Sequence, residues 1–233
     1  MSLRPLIHDR KYGELDQILR AYLGRPADDG PEKRSAALDA YLRHTWHTRP
    51  WAIAVAEQQL RECARQPPGG PRPASGASPL LPDVGLPDDR VPDWLLLLAG
   101  HLRSSVEEGD VPLYGPPRTH WEWQARFPEL SQLLGGWFSQ VMPEEFPDHD
   151  AAVADYLETT DRSLVARLTG ELHELLALDL EDGDYAAAVA ELGMEVDPPV
   201  PYAPSGWLAL LADRLGTPPP HHGPTAYGHG TRT

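Results

Sequence analysis

The sequence predicts an all-α protein made of two tandem small helical-bundle domains that are related by an internal duplication. The first observation is that similar segments recur in the same order at a nearly constant spacing. The second is that apolar residues recur at helical spacing, without the sustained alternation that is typical of β-strands. The third observation is the position of the Pro- and Gly-rich segments, which indicates where the predicted domains and the linker begin and end.

Three pairs of similar segments predict the duplication. KYGELDQILRAYL (11–23) resembles RFPELSQLLGGWF (126–138), and AALDAYL (36–42) resembles AAVADYL (151–157), each pair being 115 positions apart. WLLLLAGHL, which begins at Trp94, matches WLALLADRL, which begins at Trp207, at six of nine positions. The spacing exceeds the roughly 20–50 residues of a solenoid repeat, so it favours two copies of a domain.

The composition of the connecting segments sets the predicted domain limits. We expect a first copy at 1–106, a linker at 107–124, a second copy at 125–216 and a disordered tail at 217–233. The first copy contains a Pro/Gly-rich loop at 66–82, QPPGGPRPASGASPLLP, where the second copy has a helical segment. The first copy is therefore interpreted as degenerate.

The leucine spacing predicts the longest helix of the second copy. Leucines and a valine follow one face of the segment 160–178, with Thr160 or Asp161 as the N-cap. The preceding alanine-rich helix has Asp148 or Asp150 as its predicted N-cap. Both starts follow from the ability of a short polar side chain to accept a hydrogen bond from the first helical turn.

Two shorter helices complete the second copy. One is predicted at 185–192 and ends at Gly193, because glycine readily adopts the left-handed conformation that ends a helix. The other is predicted from Ser205, as the N-cap, to Leu215, with Gly216 after it.

Negative charge is concentrated in the second copy. Residues 125–216 hold 18 Asp and Glu but only 4 Arg, a formal charge of −14, whereas the rest of the chain, with 17 acidic and 16 basic residues, has −1. Such a field repels nucleic acids and membrane surfaces and favours encounter with a basic partner. By composition alone, the same residues also fit a merely solvated helix surface.

The location expected from the sequence is the cytoplasm. The N-terminus MSLRPLIHDRKYG has no long apolar segment, and the apolar run at Trp94 is too short to span a bilayer. The single cysteine, Cys63, cannot form an intramolecular disulfide, which agrees with a reducing compartment.

The sequence does not predict an enzyme. It has no phosphate-binding loop, nucleophile elbow or zinc-protease motif. His44 and His47 are interpreted as polar residues at a helix end, since no Cys or carboxylate set completes a metal site around them. The tail histidines lie in a segment unsuited to preorganised chemistry. We therefore expect no catalytic residue, no metal ion and no cofactor.

Several features of 126–216 occur together in one order. They are the Pro-Glu-Leu opening, the Leu-Gly-Gly-Trp-Phe step that ends at Phe138, an acidic stretch before an alanine-rich helix, a Leu-Gly pair before a proline-containing loop, and a final helix that begins with a tryptophan. In these features the segment resembles the immunity proteins of contact-dependent growth inhibition systems. The resemblance implies a cytosolic protein that binds and neutralises a cognate toxin domain, many of which are nucleases with basic clefts.

The resemblance gives the acidic stretch a possible partner. An acidic surface can occupy a basic cleft in place of phosphates, and aromatic side chains are favoured anchors at interfaces. The predicted partner-binding residues are Trp137, Phe138, Gln140, Glu144, Glu145, Phe146, Asp148 and Asp150. Some of the aromatic residues are expected in the core instead, since Trp137 and Phe138 align with Tyr22 and Leu23.

A different class of function fits the same fold. A helical adaptor could use its two copies to bind two surfaces of an unrelated partner, and it too would have no catalytic site. The identity of the partner separates the two hypotheses. The first copy could stabilise the second, extend its interface or bind another toxin, and the oligomeric state stays open.

Overall fold

A computed structural model describes residues 4–65 and 84–216, and all regular structure in these ranges is α-helical. This confirms the predicted all-α class. The predicted loop at 66–82 lies outside the described residues, as does the predicted tail at 217–233. The helices of the described ranges are α1 (Arg4–Ala21), α2 (Ala36–Thr48), α3 (Trp51–Arg65), α4 (Val91–Glu108), α5 (His120–Arg126), α6 (Pro128–Trp137), α7 (Met142–Glu145), α8 (His149–Thr159), α9 (Arg162–Leu176), α10 (Asp182–Glu191) and α11 (Pro204–Gly216).

The chain divides into two compact units, 1–131 and 132–233, with the boundary inside α6. The sequence places the start of the second domain at residue 125 instead. The linker that the sequence predicts between the two copies, 107–124, ends in a helix, because α5 begins at His120. The domain limits from the sequence stay predictions.

The repeated segments lie on helices in the same order in both halves of the chain. The segments at 36–42 and 151–157 lie on α2 and α8, and those that begin at Trp94 and Trp207 lie on α4 and α11. The helix α10 lies between α9 and α11, in the region where the first copy has its proline-rich segment. The internal duplication stays a prediction.

The first unit is built around α1, α2, α3 and α4. Its core consists of apolar side chains from all four helices, among them Ile18, Tyr41, Leu60 and Leu98, each with no exposed surface. The short helix α5 packs on α2. Burial of these large side chains removes apolar surface from water, and it is the main stabilising contribution to the bundle.

The second unit places α11 against α9 and α10. Leu168, Leu172 and Leu175 of α9 are fully buried, as the leucine spacing predicts. The helix begins after Asp161, whose Oδ1 accepts a hydrogen bond from the Ser163 backbone nitrogen at 2.8 Å. Of the two predicted N-caps, the aspartate is therefore the one that caps α9.

The starts of α8 and α11 test the N-caps that the sequence predicts for these two helices. Asp148 caps α8, since its Oδ1 accepts from the Ala151 backbone nitrogen at 2.8 Å. The prediction that Ser205 caps the last helix is wrong: α11 begins one residue earlier, at Pro204. The Ser205 hydroxyl donates instead to Oδ1 of Asp182 at 2.5 Å. Proline is favoured in a first helical turn because it has no N–H that needs an acceptor there.

Candidate functional site

The acidic stretch of the second unit lies between α6 and α8. The short helix α7 exposes Glu144 and Glu145, and the N-cap Asp148 is also exposed. Asp150 lies in the first turn of α8, where its side chain is 85% exposed. The four predicted carboxylates therefore all face solvent.

The two predicted aromatic residues at the end of α6 have different surroundings. Trp137 is half-buried; its Nε1 donates to Oδ2 of Asp155 at 2.9 Å, and its ring meets Tyr156 edge-on at 4.9 Å. Phe138 is fully buried and packs edge-on against Trp207, 5.0 Å between ring centroids. Of this pair, Trp137 alone reaches the surface, and Phe138 belongs to the core.

The remaining predicted residues lie at the edges of the stretch. Gln140 is exposed, and its backbone nitrogen donates to Oε2 of Glu195 at 2.8 Å. Phe146 is half-buried at the C-terminal end of α7.

A distant loop runs beside the acidic stretch. The backbone nitrogens of Glu195 and Val196 donate to the Phe138 carbonyl oxygen, at 2.9 and 3.3 Å. Nε2 of His149 donates to the Asp197 carbonyl oxygen at 2.9 Å. The side chains of Glu195 and Asp197 are exposed. These contacts join a loop after α10 to the segment between α6 and α8.

The structure therefore adds two carboxylates to those that the sequence predicts. Neither has a local sequence signal, because about fifty positions separate them from the first stretch. We refer to the following residues as the acidic surface: Glu144, Glu145, Asp148, Asp150, Glu195 and Asp197.

Positive charge is sparse in the second unit. Within residues 132–216 the arginines are Arg162 and Arg167 on α9 and Arg214 on α11, and there is no lysine. Nη1 of Arg214 binds Oδ1 of Asp150, and Nη2 donates to the Asp150 carbonyl oxygen at 3.3 Å. The neighbourhood of the acidic surface thus keeps a strongly negative field.

The histidines of the first unit do not form a site of this kind. His44 is buried inside α2 rather than at its end, so the predicted helix-end position is wrong for this residue. Burial, with a contribution from Arg49, lowers the pKa of His44 to about 4. His47 is exposed and stacks on Tyr114 at 4.5 Å. No cluster of three metal-binding side chains occurs within 13–65 and 84–216, where the side chains are described.

The comparison with protein families finds a match in the second half of the chain. Residues 126–215 match the family model that is described as CdiI immunity protein. The match spans about two fifths of the chain and includes the whole acidic surface. No curated protein and no solved structure matches the chain.

The match supports a toxin-neutralising immunity protein in general. CdiI immunity proteins are non-enzymatic inhibitors of toxins, which agrees with the prediction that the chain is not an enzyme. No helix of the described ranges combines the length and hydropathy that a bilayer crossing requires.

Proposed function

We propose that the immunity domain neutralises its toxin by placing the acidic surface against a basic cleft of the toxin. The carboxylates would occupy the cleft in place of a phosphate-containing substrate, which makes a nuclease domain the expected partner. Trp137 ends α6 and Phe146 follows α7, so they lie before and after Glu144 and Glu145 in the chain. They are the aromatic side chains expected to contact the toxin.

One observation carries this proposal. Exposed carboxylates from two segments, 144–150 and 195–197, are held together by backbone hydrogen bonds to Phe138 and by the contact between His149 and Asp197. Because these bonds fix the backbone of the loop on the core, the loop itself loses little freedom when a partner binds. Preorganisation of this kind favours affinity.

The charge of the domain supports the same partner. Residues 125–216 have a formal charge of −14, and the charge on a surface acts mainly on the rate of encounter and on the choice of partner. A basic toxin would be attracted at a distance, whereas nucleic acids would be repelled. We therefore expect binding that weakens as salt is added.

Calorimetric titration of the full chain with the toxin domain encoded beside it tests this proposal. The native chain is compared with the double variant Glu144→Gln/Glu145→Gln at low and at moderate salt. We expect the double variant to bind about tenfold more weakly at low salt, and the difference to shrink as salt rises. Glutamine keeps the size and hydrogen-bonding capacity of the side chain, so charge is the main quantity changed.

A matched control removes two exposed charges from the first unit. Glu32→Gln/Glu108→Gln makes the same chemical change at two exposed positions outside the acidic surface. Affinity should stay close to that of the native chain. Equal losses in both double variants would mean that only net charge matters, and no loss at 144 and 145 would remove these residues from the interface.

A further inference from the structure

A groove of about 440 Å³ lies between α8 and α11 in the second unit. Val153, Trp207 and Leu211 form its floor, and each is almost fully buried. One wall is Leu210, which is 46% exposed. The groove thus offers a mostly apolar interior that is open to solvent.

The packing of the unit explains why this space is open. Helix α11 packs closely on α9 and α10, whereas fewer contacts join it to α8. At one end of the groove the rings of His149 and Trp207 meet at 6.1 Å. At its mouth Arg214 reaches from α11 to Asp150 on α8. These contacts join the two helices, and the groove is the space between them.

The rim of the groove carries mainly negative charge. Asp150 and Asp213 line it together with Arg214, the one cation among the lining residues. Asp150 is also a member of the acidic surface, so the groove borders that surface directly.

We infer that the groove between α8 and α11 receives an apolar side chain of the toxin that is flanked by a lysine or arginine. This inference rests on the proposed function, since it names the anchor point of the same complex. An engineered cavity of roughly 150 Å³ binds benzene, so the groove has room for an aromatic or a large aliphatic side chain. A flanking cation finds Asp150 and Asp213 at the rim, and charge complementarity thus favours a basic partner over an acidic one.

The first test compares two exposed leucines of the second unit in the full chain. Leu210→Ala shortens the wall of the groove, whereas Leu164→Ala changes a 37% exposed leucine of α9 that does not line it. Calorimetric titration with the toxin domain encoded beside this chain should show about tenfold weaker binding for Leu210→Ala and native affinity for Leu164→Ala. Because an apolar contact is not screened, the loss should be the same at low and moderate salt.

The second test asks whether toxin affinity rises or falls when a positive or a negative charge is removed from the rim of the groove. Arg214→Gln leaves Asp150 available to a toxin cation, so we expect affinity to rise by a few fold, whereas Asp150→Asn should lower it about tenfold. A loss of affinity in Arg214→Gln would mean that the arginine itself meets an acidic partner, and it would overturn the inference. Thermal unfolding of each variant checks that the domain stays folded.

The outcomes separate the inference from the proposed function. Native affinity in Leu210→Ala, with salt-sensitive binding of the native chain, would overturn the groove as the anchor and leave the acidic surface standing. If the charge variants all bind more weakly by a factor that does not change with salt, the electrostatic mechanism is overturned. The groove as the anchor for an apolar side chain would then still stand. No binding of the native chain would overturn both.

Discussion

Gly135 and Gly193 bring two backbone segments of the immunity domain into direct contact. A Cβ atom placed on Gly193 would lie 2.9 Å from the Gly135 Cα atom, closer than such contacts occur. Gly193 also has a φ of +99°, in the region that favours glycine. The Leu-Gly-Gly step of α6 and the Leu-Gly pair after α10 therefore meet, which gives both sequence features a structural reason.

We expect Gly193→Ala to lower the free energy of unfolding by at least about 2 kcal/mol, because the new methyl group meets backbone and the φ angle is unfavourable for alanine. Urea unfolding followed by circular dichroism measures this change. Gly136→Ala is the control, since its Cβ would have no atom within 4 Å. That variant should be unchanged or more stable by up to about 1 kcal/mol. Equal stabilities of the two variants would contradict the close approach.

The buried ion pair of the first unit gives a second prediction. Arg43 donates from Nε and Nη2 to the two carboxylate oxygens of Glu122, at 2.7 and 3.0 Å. The side chains are 9% and 4% exposed. Arg43→Met leaves the carboxylate buried without its cation and should cost about 3–5 kcal/mol of stability.

The double variant Arg43→Met/Glu122→Gln should recover much of that loss. Glutamine keeps an acceptor for the Arg118 backbone nitrogen, which donates to Glu122 at 2.8 Å, and it leaves no buried charge. Arg103→Ala breaks an exposed pair with Glu107 and should leave stability close to that of the native chain. If the double variant proves as unstable as the single one, the desolvated charge is not the source of the loss.

His44 should make the first unit sensitive to acid. The unfolded chain protonates this ring near its ordinary pKa of 6.5, whereas the folded chain does so only near its lowered pKa of about 4. Between these values the unfolded state holds more protons, so the free energy of unfolding falls as pH falls, by about 3 kcal/mol over the window. Urea unfolding at several pH values between 7 and 4 measures the slope.

His44→Leu removes the titrating group and should flatten this part of the pH dependence. Glu14 gives an effect of the opposite sign, since burial raises the pKa of its carboxyl group despite the nearby Arg49. That contribution remains in the variant, so the comparison isolates the histidine. An unchanged slope would show that His44 is protonated equally in both states.

Asp148 combines a structural role with a proposed binding role, and two substitutions separate them. Asp148→Asn keeps the N-cap of α8 and removes the charge, because asparagine caps a helix as well as aspartate does. Asp148→Ala removes both and should cost about 1 kcal/mol of stability. We expect both variants to lose toxin affinity to a similar extent. If only the alanine variant binds weakly, Asp148 acts through the helix rather than through the toxin.

Local sequence patterns predicted the helices and several of their ends. The leucines of α9, the caps Asp148 and Asp161 and the stop at Gly193 follow from interactions within a few residues of each other. The same local reasoning placed Ser205 at a cap, although it lies inside α11 and donates to Asp182. A contact with another helix decided that position, and no neighbouring residue signals it.

Some features of the candidate site likewise follow from the sequence, and others follow only from the tertiary structure. The sequence by itself determined the all-α class, the immunity-type segment and the concentration of negative charge, since composition and periodicity are properties of the chain before it folds. Tertiary structure alone decided that Phe138 is core while Trp137 reaches the surface, and that Glu195 and Asp197 join the acidic surface. Burial and long-range hydrogen bonds depend on how helices pack, and packing is a relation between segments far apart in the chain.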